Sequence, residues 1–262
     1  MKKIIVLFFL SISILAAKPR VSVSILPLEY IVEKITLNKF YHMSLFDENY
    51  INEFPSKKKI RKLSYSPIFL SMNLPREKKY IKDLQEISNI KVVDITKGID
   101  KLDNNPYIWM DPIIFRQIVL NVYEQILKLD REHKSFYENN LNKLLKNIDE
   151  IFLVVRKQLN NAKSYNFYTF DKYWDYYAKR YRLNLIKKEK YKLSAKEIYE
   201  TIVFARENSI NKTLVDEHDS KKIISFFAQN SETRIIKNNI FKKNWQSNIF
   251  ILTQKLSEEN NK

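Results

Sequence analysis

The sequence predicts an α/β protein of two lobes, each a mostly parallel sheet with helices on both faces, joined by one long helix. Three observations lead there. Strand-like and helix-like stretches alternate over residues 21–95 in the order strand, helix, strand, helix, strand, which favours parallel strands linked by helical crossovers. The same alternation returns between residues 165 and 256. Between the halves, residues 131–159 hold apolar side chains at helical spacing with neither Gly nor Pro. That stretch of about 29 residues rises roughly 43 Å, more than one small lobe is wide. The expected organisation is a leader over 1–17, a lobe over 18–130, a linking helix over 131–160 and a second lobe over 161–262.

Met1-Lys2-Lys3 is a short positive segment, followed by an apolar run from Ile4 to Leu15 and by Ala16-Ala17. Twelve residues rise only about 18 Å as a helix, too short for a hydrocarbon core near 30 Å, so the segment reads as a signal peptide cleaved near Ala17. Its removal lowers the net charge from +16 to +14. The expected location is the periplasm.

Val21 to Leu26 alternates as a strand and runs into a loop at Pro27, and Leu28 to Ile35 has helical spacing. His42 falls in a strand over Phe40 to Met43. Ser56 is placed to cap a basic helix ending at Leu63, Pro67 to Ser71 reads as a buried strand, and Pro75 opens a helix to Ile87. Ile90 to Ile95 is a strand stopped near Gly98. A helix from Ile113 to Leu129 follows, and Asp130 is the expected cap of the long one. In the second half Tyr165 to Thr169 is a strand and Tyr173 to Tyr181 a helix. Ser194 with Glu197 forms a capping box for a helix to Glu207. Thr213 to Val215 is a strand ending in Asp216-Glu217-His218-Asp219. A helix from Ser220 to Gln229, a strand from Arg234 to Lys237 and a helix from Trp245 to Leu256 complete the chain.

Composition excludes several function classes. With no cysteine there is no disulfide, thiol nucleophile or lipid-bearing cysteine. The chain has one glycine where average usage gives about 18, which rules out a P-loop, a dinucleotide fingerprint and a nucleophile elbow. Basic residues are spread along the chain among acids rather than gathered in a patch, so no nucleic-acid role is expected. No triad or distinctive carboxylate pair marks an enzyme.

Several stretches, in order, resemble the periplasmic solute-binding proteins of zinc and manganese ABC transporters, the ZnuA-like family. Pro27 to Ile35 resembles its opening strand-loop-helix, and Asn105 to Pro112 (NPYIWMDP) its D-P-H-x-W-L-D-P loop. Leu129-Asp130 with Phe136 to Leu141 resembles the start of its lobe-linking helix. Tyr168 to Trp174 with Ala178 to Tyr181 resembles its F-H-D-A-W…A-x-R-Y segment, and Leu193 to Ile198 its P-S-A-x-E-L helix start. The likeness implies two rigidly linked lobes with a metal, zinc or manganese, bound between them as cargo, no catalytic cofactor, and an ABC permease as partner to a monomer.

The resemblance also assigns positions to the metal ligands, and there the chain departs from the pattern. Ile51 stands at the first His and cannot coordinate. Tyr107 stands at the second and Asp171 at the third, while the fourth falls near Lys243 or Asn244. A carboxylate is an acceptable ligand; a phenol is a poor one unless deprotonated. The Asp216 to Asp219 turn is a further source of donors, through Asp216, His218 and Asp219, or else the cap of the following helix. His42 and His133 read as structural, and the aromatic run from Tyr165 to Tyr177 as core. The expected metal-binding residues are therefore Tyr107, Asp171 and His218. The expected function is capture of a metal ion or metal-containing solute and its delivery to a permease. The alternatives are a cleft for an organic solute and an accessory protein that kept the fold but lost the metal site.

Overall fold

A computed structural model describes residues 18–160, 162, 166–187, 194–219 and 222–258. The expected leader, Tyr165 and Ser220 lie outside them. Strand β1 (Arg20–Val23) leads into helix α1 (Leu26–Thr36). Pro27 does not end the strand in a loop but sits in the first helical turn, where its missing N–H has no partner to lose and its fixed φ suits the helix. Then follow β2 (Tyr41–Ser44), α2 (Lys57–Leu63), β3 (Ile68–Ser71), α3 (Glu77–Ile87) and β4 (Lys91–Asp94). Ser56 caps α2 by accepting from the Lys59 N–H, as its position before the apolar spacing predicts. The sheet order is β2-β1-β3-β4, every pair parallel, with Ser22 opposite both Met43 and Phe69.

Helix α4 (Pro112–Leu129) starts at Asp111, whose carboxylate accepts from the Ile113 N–H at 2.8 Å. Helix α5 (Lys134–Gln158) is the long linker. Its cap position is His133 rather than Asp130. Asp130 instead closes α4 and spends its carboxylate on the Tyr137 hydroxyl at 2.6 Å and the His133 ring at 2.8 Å. The apolar stripe of α5 (Leu141, Leu144, Ile148 and Val155 among it) is buried, and the helix packs on α1 and α4 of the first lobe.

The second half is β5 (Asn166–Thr169), α6 (Asp175–Tyr181), β6 (Asn184–Lys187), α7 (Ala195–Glu207), β7 (Ile210–Asp216), α8 (Lys222–Ser231), β8 (Arg234–Asn238) and α9 (Trp245–Ser257). Its sheet order, β6-β5-β7-β8, again all parallel, repeats the first. Strand β6 escapes the sequence pattern because only Leu185 and Ile186 are apolar within it. Both faces of α5 are used, since α9 of the second lobe also packs on it. One buried cluster runs from Val21 through α5 to Leu256, so the two lobes share a core. Phe167, Tyr173, Trp174, Tyr176 and Tyr177 of the aromatic run belong to it. Among the described residues no helix is long and apolar enough to cross a membrane.

A chain with a single glycine must put other residues in left-handed turns. Gly98 has φ +80°, but Asn73, Arg182, Ser209 and Glu232 also sit at φ between +53° and +59°.

Candidate functional site at the inter-lobe seam

Parallel strands place the loops at their carboxyl ends on one side, where open α/β sheets gather ligands. The loops after β2 and β3 and the segment before α4 meet those after β5, β7 and β8. The NPYIWMDP segment is the main bridge. Asn105 donates to the Lys172 carbonyl at 2.8 Å and accepts at its own carbonyl from the Tyr176 hydroxyl at 2.7 Å. Trp109 donates to the Ile240 carbonyl at 2.8 Å, and Trp245 donates to the Trp109 carbonyl at 2.7 Å. Asp111 grips Arg180 at 2.7–2.8 Å. These bonds lock the seam.

Tyr107 is held at the centre of this segment. Its ring meets that of Tyr173 edge-on at 4.6 Å, and Trp109 and Phe241 stand 5.8 and 6.2 Å away. Burial, reinforced by the Asp171 charge, pushes the Tyr107 phenol up to about 12. Tyr173 is driven up too, first by burial and then by Tyr107, Asp171 and Asp216. Tyr50 stacks on Phe241 at 4.1 Å from the opposite lobe.

Two carboxylates face this aromatic group from the second lobe. Asp171 lies on the turn after β5, its N–H donating to Thr169 Oγ1 at 3.2 Å. Asp216 ends β7 and is 1% exposed. Its Oδ1 accepts from the His218 N–H at 2.8 Å, while its Oδ2 has no hydrogen-bond partner. Burial above all, then the charges of Asp171, Glu217 and Asp219, raises Asp216 to about 7. A buried carboxyl oxygen without a partner is costly, most of all when it is charged.

The first lobe contributes a cation. Arg76, just before α3, lies 4.9 Å from the Tyr50 ring and 5.4 Å from those of Phe46 and Phe54. Its Nη2 donates to the Glu53 carbonyl, and its buried Nη1 has no partner. Its charge reaches both Tyr50 and Tyr107.

The structure thus brings Tyr107 and Asp171 into one electrostatic cluster. His218 is on the Asp216 turn, half-buried, and its carbonyl accepts from Asn52 of the first lobe at 3.3 Å. Among the described residues no group of three His, Cys, Asp or Glu side chains forms a metal cage. At the fourth position Lys243 turns to α1, 3.0 Å from Glu29 and 2.6 Å from Glu33, and Asn244 caps α9. His42, 3.2 Å from Glu29, joins that ion-pair group. Tyr173 and Arg76 were not singled out by sequence as site residues. Their neighbourhood is a tertiary fact, although the turn positions after β5 and β3 were open to inspection.

A family model described as zinc-uptake complex component A, periplasmic (ZnuA), matches residues 21–246. The chain is 23% identical over 128 residues to the high-affinity zinc uptake system protein ZnuA of Bacillus subtilis, a match covering 47% of this chain and 40% of that protein. Among solved structures, a zinc-bound deletion mutant of ZnuA superposes with a TM-score of 0.86 at 23% identity, covering 94% of this chain and 99% of that one. FpvC of Pseudomonas aeruginosa, in complex with manganese, gives 0.78 at 13% identity, covering 92% and 96%. At these identities the structures speak for the fold.

Proposed function

The chain belongs to the ZnuA family of periplasmic zinc-uptake components, and from that membership we propose that it is the exported solute-binding subunit of a metal ABC transporter. The family is one of transport proteins, not of enzymes. The cargo in this reading is a metal ion or a small metal-containing solute held between the lobes and handed to an inner-membrane permease by a monomer. The signal segment over residues 1–17 carries the chain across the membrane.

The observation that carries the reading is Asp216 Oδ2, buried and without a donor beside Asp171 at the seam. A cation there supplies what the fold leaves out. Tyr107 closes the site from the first lobe, Asp171 supplies a carboxylate from the second, and His218 stands at its edge. The test is native mass spectrometry of the protein isolated from its own envelope, with elemental analysis. One equivalent of metal supports the reading, and a metal-free protein that takes up none of the tested ions removes it.

A further inference from the structure

We propose that the exposed face of α5 is a self-association surface, on which a second copy of this chain docks helix against helix, antiparallel, about a two-fold axis at Leu153.

The surface comes first. Helix α5 turns Leu145, Ile148 and Val155 to the core, and α1, α4 and α9 pack around it. A third face stays open over its C-terminal half, where Asp149, Glu150, Leu153, Val154, Arg156 and Lys157 are all exposed. Leu153 and Val154, 60% and 48% exposed, are large apolar side chains in the middle of a charged face. Ile113 of α4, 44% exposed, extends the apolar strip. The Asp130–Tyr137 bond and the Arg116–Asp149 pair at 3.3 Å set the two helices antiparallel. Ile113, one turn before Arg116, therefore falls alongside Leu153, one turn after Asp149. A lone exposed apolar residue needs no explanation, whereas neighbouring ones mark a contact surface.

The charge pattern selects the occupant. Acids precede Leu153 and bases follow it: Asp149 and Glu150 on one side along the helix, Arg156 and Lys157 on the other. A helix turns about 100° per residue, so all four lie within about 60° of Leu153 around the axis. Glu150 and Lys157 fall to one side of the Leu153 line, Asp149 and Arg156 to the other. A two-fold axis across the helix at Leu153 then sets Glu150 against the second copy's Lys157 and Asp149 against its Arg156. Leu153 meets its own counterpart, and symmetry repeats each ion pair. Parallel pairing would set acids on acids and bases on bases. A surface of one sign, such as an anionic bilayer, has no complement in this pattern.

The charges are available for such pairing. Among the described residues Arg156 and Lys157 have no acid within ion-pair distance. Asp149 holds Arg116, and Glu150 lies 3.8 Å from Lys146, but both pairs are exposed and therefore weak enough to share. Two helix faces meeting in this way bury less than the roughly 1,600 Å² of a stable interface. The pair is accordingly reversible, with a dissociation constant on the order of 10–100 μM. Tyr107, Asp171, Asp216 and His218 all lie off α5, so pairing leaves the proposed cargo site alone. Hand-over by a monomer needs only that the pair come apart at the permease, and the inference stands whether or not the cargo is a metal.

The test is sedimentation velocity of the exported chain at concentrations either side of that constant. The native protein is expected to pass from one chain to two as concentration rises. Leu153→Gln, Glu150→Lys and Lys157→Glu, exposed positions away from the seam, should each weaken pairing tenfold or more. An equimolar mixture of Glu150→Lys and Lys157→Glu should pair again, because the reversed charges then face each other. Circular dichroism checks that each variant is folded. A native chain that stays single throughout overturns the inference. Pairing undiminished in Leu153→Gln also overturns it, because the contact then lies elsewhere. A mixture no more associated than its two components removes the antiparallel register, and the proposal with it.

Discussion

Lys243 reaches across from the second lobe to stand 3.0 Å from Glu29 in the first helix of the first lobe. With Glu33 at 2.6 Å from the same ammonium and His42 at 3.2 Å from Glu29, the group forms an ionic latch beside the seam. Burial raises the Glu29 carboxyl, but the close His42 ring and Lys243 ammonium overcome it and hold the group near 2. An acid whose folded value is depressed stabilises the fold above its unfolded value and loses that contribution as pH falls. The latch therefore contributes about 1–2 kcal/mol, after allowing for solvent screening, that disappears as pH drops from 4.5 towards 2. Urea denaturation at a series of pH values, in the native chain and in Lys243→Met, checks this. An identical loss in both would show that Lys243 has no part in it.

Glu77 makes the opposite case. It is fully buried, its Oε1 accepts from Ser71 and from the Leu74 N–H, and its Oε2 has no partner. Burial, beyond what the hydrogen bonds from Leu74 and Ser71 relieve, raises it to about 7. A raised acid costs stability as pH climbs from 4.5 through 7, because the folded state then has to hold a buried charge. Glu77→Gln keeps the accepting oxygen and removes that charge. The variant is expected to gain about 1–2 kcal/mol at pH 8 and nothing at pH 4.5. Equal thermal midpoints for the two proteins at pH 8 would contradict the assignment.

At the site, Asp171→Ala should weaken cation binding at least tenfold, about 1.4 kcal/mol. Calorimetry with the ion that the native protein carries reads the effect. Undiminished affinity in that variant would take Asp171 out of the site.

Arg182 ends α6 in the left-handed conformation, at φ +56° and ψ +41°. A side chain pays about 1 kcal/mol to stay there, whereas glycine does not. Arg182→Gly should raise the melting temperature by roughly 2–4 °C, as a calorimetric scan would show. No change, or a fall, would mean that the arginine makes a compensating contact.

The architecture was legible because its signals are local. Ser56 and Ser194 announce helix starts by the chemistry of a cap, and the apolar stripe of α5 needs no partner to be read. Strand β6 was not legible, because a four-residue strand with two apolar residues is stabilised by β5 beside it rather than by its own pattern. Asp130 misled for a related reason: it has the right residue type for a cap, but Tyr137 and His133 compete for its oxygens. Tyr107 and Asp171 came from likeness of pattern. Arg76 and Tyr173 could not, since their part arises from two lobes folding against each other. The direction of Lys243 was not legible either, because chain position near Trp245 says nothing about where a long side chain points.

The three tryptophans of the chain, Trp109, Trp174 and Trp245, are all buried along the line where the lobes meet. Trp109 lies against Tyr107, Trp174 lies against Tyr173, and Trp245 is tied to Trp109. The protein therefore carries its own lamp beside the proposed cargo site. Its tryptophan emission, excited selectively beyond the tyrosine absorption, comes from that line alone, and the arrival or departure of a ligand there is expected to be timed in unlabelled protein by a change in that light.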